Sequence, residues 1–383
     1  MRKLFVHPAI RQYRAPLFRM LSECGVEFLF TSVNKDGTPA GEESSRLLDN
    51  TVLKFRQCKE IPLFGKRNFS FQLIGVVNYE IVIFSCATSI PFILCSLPLK
   101  LLGKKVILFD EMWMYPQSTV YRFLRPLIRF LVNSCVHSFV TAGSAATQYV
   151  LTEYEVGSRQ IGTAVNTTCV DRSLAKKSGS NSASGFPDTR LQGAEFKILF
   201  LGRLVDYKGL DVLLKALAPL QISFQLLVVG DGPQMECYKS LSRILGLSKR
   251  VVFAGSCRAV DAVHWYSMAD LFVHPGKYVS GVSVGYEAWG FTINEAMQCR
   301  TPVIATDAVG ASKDLIIDGE TGWIVPAGDV EALRSKIESV LRDEAGRARV
   351  VKAAVYHLEK TCCYEQNLKC FIEAMGVDSA NSE

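Results

Sequence analysis

Glu287 and Glu295 stand eight positions apart in the run G-Y-E-A-W-G-F-T-I-N-E-A-M, on either side of Gly290 and a predicted helix start. Two carboxylates at a loop-to-helix junction are suited to accept hydrogen bonds from hydroxyl groups. Some ninety residues upstream, F-L-G-R-L-V-D-Y-K-G-L-D-V-L-L-K-A carries the opposite charge: Arg203 and Lys208 lie in a turn between a hydrophobic strand and a helix. A diphosphate could sit between those two cations. Carboxylates for sugar hydroxyls and cations for phosphates, on neighbouring strand-helix junctions, are what a nucleotide-sugar site requires.

Each of these residues also has a plainer reading. Arg203 and Lys208 could be ordinary solvated charges of a strand-helix loop. Thr292-Ile293-Asn294-Glu295 matches a capping box, in which the glutamate reaches back to the first backbone N–H of the helix. Glu287, beside Tyr286, Trp289 and Gly290, has no capping task and could simply be solvated. The helix starting near Thr292 also offers free N–H groups and a positive dipole end, which suits a phosphate at Phe291, Thr292 and Ile293.

The elements that must position these residues follow from hydrophobic patterning. Short apolar runs begin at Lys3, Val26, Glu80, Lys105 and His137, with helical patterns between them, and this alternation predicts a parallel sheet. After Asp171 the tract A-K-K-S-G-S-N-S-A-S-G-F-P-D breaks the pattern for about twenty residues and reads as an interdomain linker. The alternation restarts with K-I-L-F-L-G at Lys197 and continues through Q-L-L-V-V-G-D-G-P, V-V-F-A-G, D-L-F-V-H-P, P-V-I-A-T and G-W-I-V-P. Leu210, Leu213, Leu214 and Leu217 fall at helical spacing, so that segment packs one face on its sheet. The expected architecture is α/β: a first doubly wound domain over 1–172, a linker over 173–194, a second doubly wound domain over 195–360, and a C-terminal helix and tail over 361–383 that could cross back to the first domain. In such sheets ligands settle beyond the carboxyl ends of the strands, where both charged segments begin.

Composition bounds the function. The 383 residues are too many for one ordinary core, and 49% apolar with 21% charged residues is a globular balance. A net charge of +6 fits an anionic substrate or a negatively charged membrane surface and falls short of a nucleic-acid binder's footprint. The 12 cysteines are scattered with hydrophobic flanks and follow no signal peptide, which points to a reducing cytoplasm rather than a disulfide framework. The adjacent pair Cys362 and Cys363 lacks metal-ligand spacing, and no D-x-D motif is present. No G-x-G-x-x-G opens a helix after the first strand of either half, which sets aside a nicotinamide dehydrogenase. The apolar stretch Ile81 to Leu102 is interrupted by Pro91, Pro98 and Lys100 and reads as a buried strand and a buried helix, not a membrane span.

Taken in order, the segments from Phe196 to Leu341 resemble the nucleotide-sugar-binding half of the retaining glycosyltransferases of family 4. The motifs are Gly202-Arg203-Leu204 with Lys208-Gly209, the V-G-D-G-P turn from Val229 to Pro233, the Glu287 and Glu295 pair, and C-R-T-P-V-I-A-T followed by a glycine loop at Gly310 and E-T-G-W-I-V-P. The resemblance implies the GT-B fold, two Rossmann-like domains facing a central cleft, and transfer of a hexose from a UDP- or GDP-sugar with its anomeric configuration retained. It implies that Arg203 and Lys208 hold the diphosphate, that Glu295 binds the ribose hydroxyls and that Glu287 contacts the donor sugar. Gly202, Phe291, Thr292, Ile293 and Gly310 would complete the donor site, with no cofactor and no metal. Base and sugar selection would rest on loops such as Ala254 to Cys257 and Val309 to Ser312. A nucleotide-sugar epimerase and a non-catalytic nucleotide-sugar-binding subunit are the alternatives.

In the first half, Tyr13-Arg14-Ala15-Pro16-Leu17-Phe18 resembles the Y-R-x-P-L-F opening of bacterial and archaeal polysaccharide glycosyltransferases of this family, although the usual glycine-rich turn after the first strand is missing. The implied acceptor is a saccharide or lipid-linked saccharide in cell-surface polysaccharide or glycoconjugate synthesis. Asp110 or Glu111 would orient the acceptor hydroxyl, or else serve only to cap the next helix. Arg122, Arg125 and Arg129 fall to one side of an aromatic and aliphatic segment, close to Lys100, Lys104 and Lys105, and this basic helix could rest on anionic lipid at the inner face of the cell membrane. Pro126 is expected to break or restart that helix.

Overall fold

The computed structural model describes residues 1–31, 55–57, 61–63, 67–69, 71–116, 118–168, 170, 195–280 and 285–377. The linker expected at 173–194 lies outside the described residues, as does the end of the tail, 378–383. The chain forms two compact units, Met1–Thr167 with Cys363–Glu383 and Thr168–Cys362.

In the first unit the strands are β1 (Lys3–His7), β2 (Val26–Phe30), β3 (Phe55–Gln57), β6 (Ile81–Phe84), β7 (Lys105–Asp110), β8 (Val136–Thr141) and β9 (Ile161–Thr163). They form a sheet in the order β3-β2-β1-β6-β7-β8-β9, parallel throughout. A separate antiparallel pair joins β4 (Ile61–Leu63) and β5 (Arg67–Phe69). Alternation along each strand feeds two cores. Leu4, Val82, Phe84, Val106 and Leu108 face one layer, and Phe5, Ile81, Ile83, Ile107 and Phe109 face the other. Strands buried on both faces need continuous apolar sequence, which is why these runs were visible.

The helix Tyr364–Met375 belongs to this unit. Phe371 enters the second layer, with ring centroids 5.3 Å from Phe109 and 5.7 Å from Phe5. Tyr364 donates to the Tyr13 carbonyl at 2.8 Å and Asn367 to the Val165 carbonyl at 2.8 Å.

Two helices depart from expectation. The helix Ile90–Leu101, expected to be buried, buries only Phe92, Cys95, Ser96 and Leu99 and exposes Leu94, Leu97 and Leu101. The helix Thr119–Cys135 runs unbroken through Pro126. Pro126 and Arg122 are both exposed, so the carbonyl that loses its intrahelical partner lies on the solvent side, where water can satisfy it.

The second unit has strands β10 (Phe196–Leu201), β11 (Phe224–Val229), β12 (Val251–Gly255), β13 (Leu271–His274), β14 (Val303–Thr306) and β15 (Trp323–Val325). Their order is β12-β11-β10-β13-β14-β15, again all parallel. The helix Leu210–Leu217 buries Leu210, Leu213, Leu214 and Leu217 against this sheet with Ile198, Leu226 and Val228. No disulfide forms among the described cysteines, and no described helix is long and apolar enough to cross a membrane.

Candidate functional site

The order of the second sheet places β10 and β13 side by side, with the chain running outward from β10 to β12 and from β13 to β15. In sheets of this order the connections leaving two such strands diverge, and their carboxyl ends are where ligands settle. The charged residues gather there.

Lys208 ends a single 3-10 turn, Asp206–Lys208, and Gly209 then starts the next helix in the left-handed region at φ 71°. A Cβ on Gly209 would fall 1.8 Å from the Pro275 carbonyl oxygen, so only glycine lets this turn lie against the end of β13. The turn brings Lys208 to His274, the last residue of β13, with Nζ 3.4 Å from Nε2. Lys208 is buried and forms an ion pair with Glu287. His274 Nε2 also lies 3.7 Å from Glu287 Oε2.

Glu287 is held by its backbone as well as its side chain. It bridges to Val309, and its carbonyl accepts from the Gly310 N–H at 3.1 Å. A Cβ on Gly310 would meet the Ala288 carbonyl oxygen at 2.1 Å, so the loop after β14 packs onto the Glu287 segment only through a glycine. Burial pushes the Glu287 carboxyl up, but the Lys208 charge, helped by hydrogen bonding with His274, outweighs it and brings the pKa down to about 2. Burial, with Lys208 alongside, lowers the pKa of His274, so its ring is neutral at pH 7.

Glu295 does not form the capping box that its sequence suggests. The helix begins at Phe291 after Gly290, whose left-handed φ of 97° sets the helix start ahead of Thr292, and no side chain caps it. Tyr266 instead donates its hydroxyl to Glu295 Oε2 at 2.7 Å. Burial raises the Glu295 carboxyl to about 7, against the lowering effects of the Tyr266 hydrogen bond and the Lys208 charge. Of the first-turn N–H groups expected to be free, that of Ile293 donates to the Gly290 carbonyl at 2.9 Å. Thr292 Oγ1 is buried with no hydrogen-bond partner. Trp289 donates to the buried Asn294 side chain at 2.8 Å, which fixes the indole beside Gly290.

Lys208, Glu287 and Glu295 are thus brought together. Arg203 follows Gly202 just past β10 but is exposed and makes no ion pair among the described residues. No group of three or more His, Cys, Asp or Glu placed to hold a metal ion occurs among the described residues. His274 and Tyr266 were not singled out from sequence. The available signal for His274 was its place at the carboxyl end of a central parallel strand.

A second polar cluster lies in the first unit. Arg14, buried, pairs with Glu111 and donates to Asn166 Oδ1 at 3.0 Å, while Asn166 donates to Glu111 Oε1 at 3.0 Å. The Arg14 guanidinium also lies 4.7 Å from the Phe109 ring centroid. Asp110 does not cap the next helix, which starts at Thr119 with Ser118 before it. Its Oδ1 accepts from the Met112 N–H at 2.9 Å and its Oδ2 is buried without a hydrogen-bond partner. Burial raises Asp110 to about 7, opposed by the Met112 bond and aided by the Glu111 charge. His7 is brought down to about 3 by burial and by Arg14. Arg14 sits in the quoted Y-R-x-P-L-F run, and Asn166 carried no local pattern that could have marked it.

Residues 184–355 match the family model described as Glycosyl transferases group 1. The chain is 33% identical over 149 residues to a GDP-mannose-dependent alpha-(1-6)-phosphatidylinositol monomannoside mannosyltransferase of Mycolicibacterium smegmatis, which covers 38% of each chain. It is 31% identical over 193 residues to the lipopolysaccharide core biosynthesis mannosyltransferase LpcC of Rhizobium leguminosarum, over 48% of this chain and 50% of that one. The chain therefore spans half or less of the length of these curated relatives. HepE of Anabaena, crystallised in complex with UDP, superposes with a TM-score of 0.73 at 18% identity, over 98% of this chain and 100% of that one. At that identity the likeness is one of fold.

Proposed function

We propose, from a chain whose residues 184–355 match the model of the glycosyl transferases group 1 and whose fold is that of the GT-B glycosyltransferases, that this protein is a retaining hexosyltransferase. The donor is a UDP- or GDP-sugar and the acceptor a saccharide or lipid-linked saccharide of cell-surface polysaccharide or glycoconjugate synthesis. Supporting this reading, the relatives include mannosyltransferases named for GDP-mannose and for lipopolysaccharide core, and a structural neighbour is complexed with UDP.

The observation that carries the proposal is the gathering of Lys208, Glu287 and Glu295 at the switch point of a parallel sheet. Departure of the nucleotide leaves negative charge on its diphosphate. The buried Lys208 ammonium, with Arg203 from the solvent side, supplies opposite charge where little water competes. Glu287, held ionised, accepts hydrogen bonds from donor-sugar hydroxyls, and Glu295, once deprotonated, accepts from the ribose. Glu111, fixed by Arg14 and Asn166, orients the acceptor hydroxyl. No cofactor or metal enters this scheme.

The test is nucleotide release from a panel of UDP- and GDP-sugars, with and without saccharide acceptors, and NMR of the product's anomeric configuration. Turnover with one donor and a retained configuration is expected. No turnover and no nucleotide-sugar binding would overturn the proposal, and a product still attached to nucleotide would indicate an epimerase.

A further inference from the structure

Among the described residues of the second unit, the large apolar side chains that are exposed are separate in sequence: Ile244, Val260, Tyr278, Ile317 and Tyr356. Those in the first unit are concentrated. The helices Ile90–Leu101 and Thr119–Cys135 pack against each other on the same side of the sheet, their inner residues Cys95, Leu99, Ile128 and Leu131 sharing one core. On their outer side stand Leu94, Leu97 and Leu101 from the first helix and Phe123, Leu127 and Phe130 from the second. Phe123 is 83% exposed, Leu101 79% and Phe130 56%. Positions 94, 97 and 101 and positions 123, 127 and 130 recur at helical spacing, so each set forms a stripe rather than a scatter. A contiguous exposed apolar surface of this kind marks a binding face.

Charge selects the occupant. Neither helix contains an aspartate or glutamate. Lys100 and Arg122 are exposed, and Lys104 and Arg129 partly so. Arg125 is already satisfied by Glu153, its Nε and a terminal nitrogen donating at 2.8 and 2.6 Å. A second copy docking this face on itself by two-fold symmetry would bring like charges together. An anionic bilayer instead offers hydrocarbon to the phenylalanines and phosphate to the cations, and phenylalanine on an otherwise cationic helix is the composition that lies at such an interface. We propose that the paired helices Ile90–Leu101 and Thr119–Cys135 form a peripheral membrane-docking face, with Phe123 and Phe130 entering the acyl region and Lys100, Arg122 and Arg129 contacting anionic headgroups. The two exposed prolines, Pro98 and Pro126, lie on this outer side and leave its helical backbone intact.

The test is co-sedimentation of the full chain with vesicles, which needs neither donor nor acceptor and so stands apart from the transfer assay. The protein should pellet with phosphatidylcholine vesicles containing about one-third phosphatidylglycerol and stay in solution with pure phosphatidylcholine, and salt should weaken the binding. Phe123→Ser with Phe130→Ser should reduce partitioning by about tenfold or more, while Ile244→Ser, an equally exposed position on the second unit, should leave it unchanged. Arg122→Gln with Arg129→Gln should remove the preference for anionic lipid. Far-UV circular dichroism establishes that the variants are folded. Failure of the wild-type protein to bind anionic vesicles at low salt, or equal binding by the phenylalanine variant, overturns the proposal. So does a concentration-dependent dimer that the same variant dissociates, since the face would then belong to a second copy.

Discussion

Lys208 and Glu287 form an ion pair whose side chains are only 11% and 15% exposed, with the neutral ring of His274 set against both. An ion pair removed this far from water is costly to break from one side, because the remaining charge has no solvent to turn to. Glu287→Gln should therefore destabilise the protein by about 3–5 kcal/mol in urea unfolding. The sign of its pH dependence follows from the lowered carboxyl: Glu287 contributes its stability above the ordinary carboxylate range and loses it as pH falls toward about 2. The gap between wild type and variant should accordingly narrow as the solution is made more acidic.

Lys208→Ala should lower kcat per folded molecule by about 10²–10³, the loss typical when one preorganised positive group facing a developing anion is removed, and should also destabilise the chain by stranding Glu287. Steady-state kinetics with the donor found by nucleotide release checks this. His274→Phe keeps the burial but removes the nitrogen beside Lys208, and a modest fall in kcat with unchanged donor KM is expected.

Glu295 reports on pH in the opposite sense to Glu287. With its carboxyl raised to about 7, the folded protein keeps a proton that the unfolded chain has lost, so stability falls as pH rises from about 4.5 through 7. Glu295→Gln should flatten that slope, a difference of about 2–3 kcal/mol between pH 5 and pH 8 by denaturant unfolding. If the ionised carboxylate accepts the ribose hydroxyls, donor KM should fall over the same range in the wild type and stay flat in the variant. Tyr266→Phe withdraws the hydroxyl that Tyr266 donates to Glu295, should raise donor KM by about fivefold, and should move the pH midpoint upward.

Glu111→Ala strands the buried Arg14 guanidinium without a carboxylate, leaving it the Asn166 side chain and the rings of Phe109 and Tyr13. A loss of about 3 kcal/mol is expected, with part of it recovered when Arg14→Met is added to the same chain. Glu111→Gln separates structure from function: it keeps a hydrogen-bond acceptor for Arg14, and a raised acceptor KM at unchanged donor KM would mark contact with acceptor.

The central strands of both sheets were legible, from Lys3–His7 to Trp323–Val325, because parallel strands covered on both faces demand uninterrupted apolar runs, whereas the short strands Phe55–Gln57, Ile61–Leu63, Arg67–Phe69 and Ile161–Thr163 carry no such run and were not read. Lys208, Glu287 and Glu295 were legible as a set because their chemistry is unusual at strand-helix junctions. What failed were readings made from one local segment. Thr292 to Glu295 spells a capping box, yet the backbone turn at Gly290 starts the helix earlier and the carboxylate is taken by Tyr266, 29 residues away. The apolar run ending at Leu101 was expected inside because hydropathy records that a side chain avoids water, not what covers it. His274 and Asn166 have no pattern of their own, since each is defined by partners that only the tertiary structure supplies.

The return of residues 364–375 to the body built from strands β1 to β9 makes that body discontinuous in sequence. Phe371 must reach Phe5 and Phe109 to seal one layer of that body, and it is translated after the whole of the second unit. During translation the residues of the second unit are complete first, while the earlier-made sheet keeps its phenylalanine layer open until the helix Tyr364–Met375 has been made.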